Sequence, residues 1–219
     1  MEFTLQVAIA AVLTALAAYL LGSISFAIII TRLFSGKDIR DSGSGNAGMT
    51  NVLRTLGKLP AALTLLGDFS KGILSVVLGK MFFTYIGKVP AEYVMVGAYL
   101  AGFCAILGHL FPLYFGFRGG KGILTSAGVI LILDPLVFVG ILLVFLIVAL
   151  TTRIVSLGSI SAAVSAPVFT YLLHSIQHRP ALVDTLCILA IALLVIWMHR
   201  ANIKRLLNGT ENRFGSKKN

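Results

Sequence analysis

"LILDPLV", residues 131–137, decides how many membrane-spanning helices this sequence predicts. The apolar runs on either side of it, 122–133 and 136–151, are shorter than the ~20 residues that span a bilayer. Its Asp-Pro pair is therefore either a turn between two short helices or a kink inside one long helix. The positions of the lysines and arginines distinguish these two interpretations.

The basic residues favour the turn. With two separate helices the chain has seven spans, and 14 of its 18 Lys and Arg residues fall on one side of the membrane. Lys88 and Arg179 fall on the other side, and Lys71 and Lys80 lie within spans. Merging the two runs would instead place 8 basic residues on each side. Because basic residues concentrate on the cytoplasmic side, the sequence predicts an outside N-terminus and a cytoplasmic C-terminus.

The composition of the whole chain agrees with a membrane protein. Of its 219 residues, 58% are hydrophobic and 12% are charged, far from the balance of soluble domains. We predict an all-α integral membrane protein, a bundle of seven transmembrane helices that forms one polytopic domain over 1–219. The approximate spans are 4–33, 60–86, 92–115, 122–133, 136–151, 155–174 and 181–198. The net charge of +10 follows mainly from topology, so no nucleic acid is expected as a partner. Membrane lipid is an expected partner.

Polar residues collect in three segments, all on the predicted cytoplasmic side. These are "SGSGNAGMTNVLR" (42–54), "GHLFPLYFGFRGGKGILTS" (108–126) and "HRANIKRLLNGTENRF" (199–214). Since they share one side of the membrane, we expect them to converge on one site at that surface.

The first segment has the pattern of a glycine-rich loop that leads into a short helix. Ser44 is a candidate N-cap, and a helix over 46–56 would place Asn46, Thr50 and Arg54 on one face. Exposed amides, glycines and a cation on one stripe can bind phosphate or carboxylate. The alternative is an ordinary cytoplasmic loop whose basic residues only fix the orientation of the chain.

The second segment contains another cationic turn. Arg118 and Lys121 flank Gly119 and Gly120 at the start of a short helix, and Phe115 stands where a Walker A loop requires glycine. His109 lies near the end of the preceding span, where a neutral imidazole is a candidate proton acceptor, although a histidine at a membrane interface is more often structural.

Further polar residues lie at helical spacing elsewhere. His199, Asn202 and Arg205 share a stripe of the third segment, and Ser156 and Ser159 follow Arg153 on one helical face. Asp68 and Lys71 lie one turn apart inside a span, which predicts a structural ion pair. The carboxylates are scattered and the histidines lack ligand spacing, so we expect no metal site and no cofactor.

These motifs resemble the bacterial acyl-phosphate glycerol-3-phosphate acyltransferase family over nearly the whole chain. The resemblance includes the three segments and also "GSISFAI" (22–28), "DFSKG" (68–72) and "VSLGSI" (155–160). This chain has Ala47, Met49 and Arg118 where the family often has Pro, Ala and Lys. Arginine keeps the charge at position 118 but not the shape, because its planar fork binds phosphate bidentately whereas lysine acts as a point charge.

The resemblance implies seven spans, an active site at the cytoplasmic face of the bacterial inner membrane, and a reaction. An acyl group would pass from acyl phosphate to the 1-hydroxyl of glycerol 3-phosphate, giving lysophosphatidic acid and inorganic phosphate. Acyl phosphate is already activated, so no covalent nucleophile is required, and the sequence has neither a GxSxG motif nor an HxxxxD motif. The proton acceptor is His109, His199 or the phosphate of the donor.

The candidate site residues follow from these segments. The catalytic candidates are His109, Lys121 and His199. The candidate substrate- and phosphate-binding residues are Ser44, Asn46, Thr50, Asn51, Arg54, Arg118, Gly119, Gly120, Ser156, Ser159 and Asn202. A transporter of a phosphorylated metabolite is the alternative function, although transporters usually bind their substrates near the membrane midplane between related halves.

Overall fold

The computed structural model describes residues 5–213, and all regular secondary structure in that range is helical. The all-α fold class predicted from the sequence is therefore confirmed. Phe214, Lys217 and Lys218, which entered the motif and charge analysis, lie outside the described residues. The ten α-helices in the described range are α1 Leu5–Gly22, α2 Phe26–Ser35, α3 Met49–Leu56, α4 Lys58–Tyr85, α5 Val94–Leu110, α6 Ile123–Leu133, α7 Pro135–Thr152, α8 Val155–Ile176, α9 Ala181–Met198 and α10 Arg200–Leu207.

Six helical segments in the described range are long and apolar enough to cross a bilayer. They are Leu5–Ser35, Lys58–Tyr85, Ala91–Phe115, Pro135–Thr152, Val155–Ile176 and Ala181–Met198. Helix α6 is apolar but has only 11 residues, a length of about 16 Å against a hydrocarbon core of about 30 Å. The structure thus gives six candidate spans and one short apolar helix, where the sequence predicts seven spans.

The first apolar run, predicted as 4–33, is divided into α1 and α2 by a break at residues 23–25. Two buried serines occupy the break, and Ser23 Oγ donates to Tyr19 O at 2.8 Å. Lys71 Nζ donates to Ile24 O at 2.7 Å. A carbonyl that leaves the helical pattern inside a membrane protein requires such a donor, so the break depends on polar groups from the chain itself.

The Asp-Pro pair of "LILDPLV" separates two helices, as the charge distribution predicts. Helix α6 ends at Leu133, and Asp134 adopts an extended conformation before Pro135 begins α7. The Asp134 carboxylate accepts from Leu136 N and Val137 N at 3.0 and 3.1 Å, which satisfies two amides of the first turn of α7. Proline is favoured at this position because its missing N–H would have no helical partner.

The chain divides at the same point into two compact units, an N-terminal unit, Met1–Leu133, and a C-terminal unit, Asp134–Asn219. In the N-terminal unit, glycines let the helices approach at backbone distance. A Cβ at Gly22 would overlap Ala105 O, where α1 packs on α5, and a Cβ at Gly72 would overlap Thr125 O, where α4 packs on α6. Such small-residue contacts are the usual basis of close helix packing in membranes.

In the C-terminal unit, α8 packs between α7 and α9. One end of this unit carries a buried polar cluster around His174, which is 1% exposed. His174 Nε2 lies 2.8 Å from Asp134 Oδ2, and His174 Nδ1 lies 3.1 Å from Asp184 Oδ2. The cluster therefore links one end of all three helices, and the opposite end of the unit carries Ser156 and His199.

Candidate active site

The loop between α2 and α3, residues 36–48, is held in place by the side chain of Asn51. The Asn51 amide is 1% exposed, and its Nδ2 lies within 3.1 Å of the carbonyl oxygens of Ile39, Ser42 and Asn46. Its Oδ1 accepts from Ser44 N at 3.0 Å. The predicted binding residue Asn51 thus uses both ends of its amide to shape the loop.

Replacing Asn51 with alanine is expected to lower the free energy of unfolding by about 3 kcal/mol, because several buried carbonyls lose their donor. The Thr55→Val variant is the matched control, since Thr55 is exposed and its hydroxyl donates to Asn51 O and Val52 O within its own helix. Thermal unfolding in detergent measures both effects. A transition temperature of Asn51→Ala equal to that of Thr55→Val would contradict this role.

The short helix begins later than the sequence predicts, and its cap is a different residue. Gly48 is the N-cap of α3, which begins at Met49, so Ser44 does not cap the helix and Asn46 precedes it. The helical stripe therefore contains Thr50 and Arg54 alone. The glycine has no side chain to bond the first amides of α3. Ser44 is exposed in the preceding loop, and the Arg54 side chain is also exposed.

An ion pair in the same loop connects it to the segment that follows α5. Asp38 accepts from Arg40 Nε and Nη2 at 3.0 and 2.9 Å, and from Arg32 Nη2 at 2.9 Å. Arg40 Nη1 then donates to Phe115 O at 2.7 Å and to Arg118 O at 3.2 Å. The side-chain hydrogen bonds from Arg40 hold the pKa of Asp38 well below its usual range. The contact thus joins the loop between α2 and α3 to the second predicted polar segment within the N-terminal unit.

The lowered pKa of Asp38 gives the contact a pH dependence. Asp38 stabilises the folded state fully above the ordinary carboxyl pKa of about 4, and this contribution is lost as the pH falls through its lower folded pKa. The transition temperature of Asp38→Asn is therefore expected to lie below that of the wild type at pH 7, with the difference shrinking below pH 4. A difference that stays constant from pH 7 to pH 3 would contradict the ion pair.

The glycine pair of the second segment packs directly on the end of α5. Gly120 N donates to His109 O at 3.2 Å, and Gly119 N donates to Leu110 O at 3.1 Å. A Cβ at Gly120 would overlap both His109 Nε2 and Ala47 O. Gly120 therefore fills the contact between the His109 ring and the first polar loop, and no larger residue fits there without displacing the Ala47 backbone.

The cations of the second segment lie beside this contact. Arg118 is exposed immediately before Gly119, and Lys121 is partly buried immediately after Gly120. With Arg40, they place three cationic side chains at this end of the N-terminal unit. Cationic side chains bind anions such as phosphate through charge-assisted contacts.

His109 is buried beneath this surface, next to an ion pair. The pair predicted for Asp68 and Lys71 is present, with Lys71 Nζ 2.9 Å from Asp68 Oδ1 and both side chains almost fully buried. His109 Nδ1 lies 3.6 Å from the same carboxylate oxygen, beyond hydrogen-bond distance. The Nε2 side of the ring faces Gly120.

The C-terminal unit carries the remaining predicted site residues at one of its ends. Ser156 and Ser159 are 7% and 4% exposed in the first turns of α8, and Ser156 Oγ has no hydrogen-bond partner among the described residues. Arg153 precedes α8 with a positive φ of 60°. The serine hydroxyls thus lie near the positive end of a helix dipole.

The third polar segment folds back on itself in the same unit. Asn202 Nδ2 donates to Glu211 Oε1 at 2.9 Å, and Arg205 Nε donates to Glu211 Oε2 at 2.8 Å. His199 Nδ1 lies 2.8 Å from Val195 O, a contact that requires the proton on Nδ1 and makes Nε2 the basic nitrogen of the neutral ring. Glu211 thereby holds the segment that follows α10 against the helix.

The comparisons with known proteins identify the family. Residues 12–209 match the family described as glycerol-3-phosphate acyltransferase. This chain belongs to that family. Among its relatives, the glycerol-3-phosphate acyltransferase of Clostridioides difficile (strain 630) is 44% identical over 207 residues, which cover 94% of this chain and 97% of the relative. That of Cupriavidus necator is 46% identical over 206 residues, with coverage of 94% and 97%.

Solved structures of the glycerol-3-phosphate acyltransferase family have the same fold. The crystal structure of PlsY (YgiH), an integral membrane glycerol 3-phosphate acyltransferase, in its glycerol 3-phosphate form is 39% identical, with a TM-score of 0.79. The match covers 94% of this chain and 96% of the PlsY chain. The lysophosphatidic acid form is 38% identical, with a TM-score of 0.76 and coverage of 94% and 95%. The prediction of an integral membrane protein is thereby confirmed.

Two contributors to the site were not selected from the sequence. Arg40 is separated from Phe115 by 75 positions, and nothing in its local spacing indicates that it reaches that carbonyl. Local spacing also does not predict that His109 on α5 approaches Asp68 on α4, although the "DFSKG" motif did indicate a polar pair inside a span. The expected convergence of all three polar segments involves residues of both units and stays a prediction.

Proposed function

We propose that this protein transfers an acyl group from acyl phosphate to the 1-hydroxyl of glycerol 3-phosphate, the first step of phospholipid synthesis. The observation that carries the proposal is the packing of two cationic, glycine-rich segments at one end of the N-terminal unit, with Gly120 between His109 and Ala47. Membership of the glycerol-3-phosphate acyltransferase family and the glycerol 3-phosphate form of the related PlsY structure support the choice of acceptor.

The reaction needs two anions held around one carbonyl. The hydroxyl oxygen of glycerol 3-phosphate attacks the acyl carbon, the bond from that carbon to the phosphate oxygen breaks, and inorganic phosphate leaves. We assign Arg54, Arg118 and Lys121 to the two phosphates, because charge-assisted contacts can fix both substrates at reacting distance. The side chains of Ser44 and Thr50 are proposed to add neutral donors. Gly119 and Gly120, whose amides donate to Leu110 O and His109 O, are proposed to shape the loop that carries Arg118 and Lys121.

The hydroxyl proton also needs an acceptor. His109 has its Nε2 side covered by Gly120, which favours a supporting role for the ring. His199 offers Nε2 as a base, since its Nδ1 donates to Val195 O. We propose that the phosphate of the acyl donor accepts the proton as its bond to carbon breaks, so that the proton leaves with inorganic phosphate and no carboxylate is needed.

Other candidate residues are retained as proposals with narrower roles. Asn46 belongs to the loop beside the cations, and Asn51, on α3, acts by holding the backbone of that loop. Ser156, Ser159 and Asn202 remain candidates for substrate binding, because they are buried polar groups at one end of the C-terminal unit.

The charge distribution supports a topology for the chain. We propose that α6 is a seventh, short crossing of the bacterial inner membrane, that the N-terminus lies outside and that the site faces the cytoplasm, with residues 1–219 acting as one polytopic domain. Labelling by a membrane-impermeant maleimide tests this in a background without Cys104 and Cys187. The Lys88→Cys and Arg179→Cys variants should react in intact spheroplasts, whereas Lys58→Cys should react only in inverted vesicles. Reaction of Lys88→Cys in spheroplasts with reaction of Arg179→Cys only in inverted vesicles would contradict a crossing by α6. The opposite result would reverse the topology.

The donor and the reaction class can be tested together with protein purified in detergent. Radiolabelled glycerol 3-phosphate is offered with palmitoyl phosphate, palmitoyl coenzyme A or palmitoylated acyl carrier protein. Of the three donors, we expect only palmitoyl phosphate to give labelled lysophosphatidic acid. Product from coenzyme A only would overturn the proposed donor. No product in detergent, combined with uptake of glycerol 3-phosphate into sealed proteoliposomes, would identify a transporter instead.

A further inference from the structure

The buried ion pair of α4 connects two parts of the N-terminal unit that the reaction scheme leaves unexplained. Lys71 Nζ is within 2.7 Å of Ile24 O, in the break between α1 and α2, and within 2.9 Å of Asp68 Oδ1. The backbone oxygen of Asp68 accepts from Thr125 Oγ1 at 3.1 Å, on α6. The pair thus contacts the break between α1 and α2 on one side and α6 on the other, with both side chains almost fully buried.

Stability alone does not account for such a pair. Removing two charges from water costs several kcal/mol for each ion, and well-packed apolar residues in the same place are often as stabilising or more so. Ionisable residues inside membrane spans are costly and usually serve a function. The question is therefore what the Asp68 carboxylate faces besides Lys71.

The Asp68 carboxylate faces His109, and His109 faces the loop that carries Gly119 and Gly120. The Asp68 carboxylate lies 3.6 Å from Nδ1 on one side of the ring, and Gly120 packs against Nε2 on the other side. His109 Nδ1 has no hydrogen-bond partner among the described residues, so the position of the ring depends on this charge and on packing. From Lys71 to Ala47 the contacts form one continuous path through His109 and Gly120, the residue before Lys121.

We infer that Asp68 and Lys71 are positioning residues for the reaction, which act through His109 on the place of Gly120 and therefore of Lys121. This inference rests on the proposed function and assigns a role to two residues that touch neither substrate. The carboxylate fixes the ring, the ring supports the loop, and Lys71 compensates the charge of Asp68.

The test uses the charge-free double variant Asp68→Asn with Lys71→Met, which keeps the shape of the pair and leaves no buried charge unpaired. Its transition temperature should fall, because Ile24 O loses its Lys71 donor, but the protein should remain folded at the assay temperature. The kcat for lysophosphatidic acid formation should fall about 10- to 100-fold. Added to His109→Gln, the double change should cause no further loss of kcat, because both act on the same loop. Lys80→Met is the matched control, since Lys80 lies on the same helix and its Nζ is 3.5 Å from Ile132 O.

Hydrogen exchange provides a readout that does not require activity. The amides of Gly119 and Gly120 should exchange faster in the double variant than in the wild type and in Lys80→Met. Wild-type kcat and unchanged exchange in the folded double variant would overturn the positioning role. The role would also be overturned if the double change lowered kcat by the same factor in the His109→Gln background as in the wild type. A wild-type protein that makes no lysophosphatidic acid would contradict the proposed function, and the exchange measurement would still decide the inference.

Discussion

Replacing Arg54 or Lys121 with alanine is expected to lower kcat/KM for acyl transfer by about 100-fold or more, because each variant loses a cation assigned to a substrate phosphate. Arg54 is exposed on the same face of α3 as Thr50, and Lys121 follows the glycine pair on the neighbouring segment. Initial rates of lysophosphatidic acid formation at several concentrations of each substrate would also separate the two roles, since the KM that rises identifies the phosphate each residue binds.

The fold should survive both substitutions. Arg54 is exposed and Lys121 only partly buried, so transition temperatures in detergent should change little. Lys58→Ala is the control, because Lys58 is another exposed cation, at the start of α4, and is not assigned to a substrate. A turnover close to that of Lys58→Ala in either variant would remove that residue from the proposed site.

Gly120→Ala should have an effect of similar size for a steric reason. The added Cβ would overlap the His109 ring and the Ala47 carbonyl, so the two polar segments would have to separate. Displacements of about 1 Å near reacting groups can lower rates about 100-fold, and we expect a loss of that order in kcat. Gly120 is absent from the residues with positive φ, so the effect comes from contact and not from backbone strain.

Gly116→Asn is the control for this substitution. Gly116 lies in the same segment with a φ of 65°, and a Cβ there would meet nothing within 4 Å. Asparagine tolerates the left-handed conformation, so activity should remain close to that of the wild type. Equal activities of Gly120→Ala and Gly116→Asn would show that the contact between the two segments does not matter to the reaction.

The long helices were predictable because one physical requirement dominates them. A segment inside the bilayer must be apolar and must satisfy its backbone groups internally, so length and composition predict most spans directly. The break at Asp134 was also predictable, because the basic residues report which side each loop occupies. Helix α6 is similarly apolar but has only 11 residues, so its composition alone does not show that it crosses the membrane.

The site was predictable in its residue types and less so in its contacts. Helical spacing places Thr50 and Arg54 on one face, but it also suggested a helix that includes Asn46, because it cannot foresee that the Asn51 amide folds the preceding loop back on itself. Arg40 contacts a carbonyl 75 positions away, and such contacts depend on how the helices pack. Local pattern reveals which chemistry is available, whereas tertiary packing decides which groups face substrate.

The most direct test of the account is the release of inorganic phosphate from palmitoyl phosphate by the purified protein, measured with and without glycerol 3-phosphate. We expect phosphate and lysophosphatidic acid to form in equal amounts, and only when glycerol 3-phosphate is present, since its hydroxyl is the attacking group. Phosphate release at the same rate without glycerol 3-phosphate, or no lysophosphatidic acid at any concentration of both substrates, would contradict it.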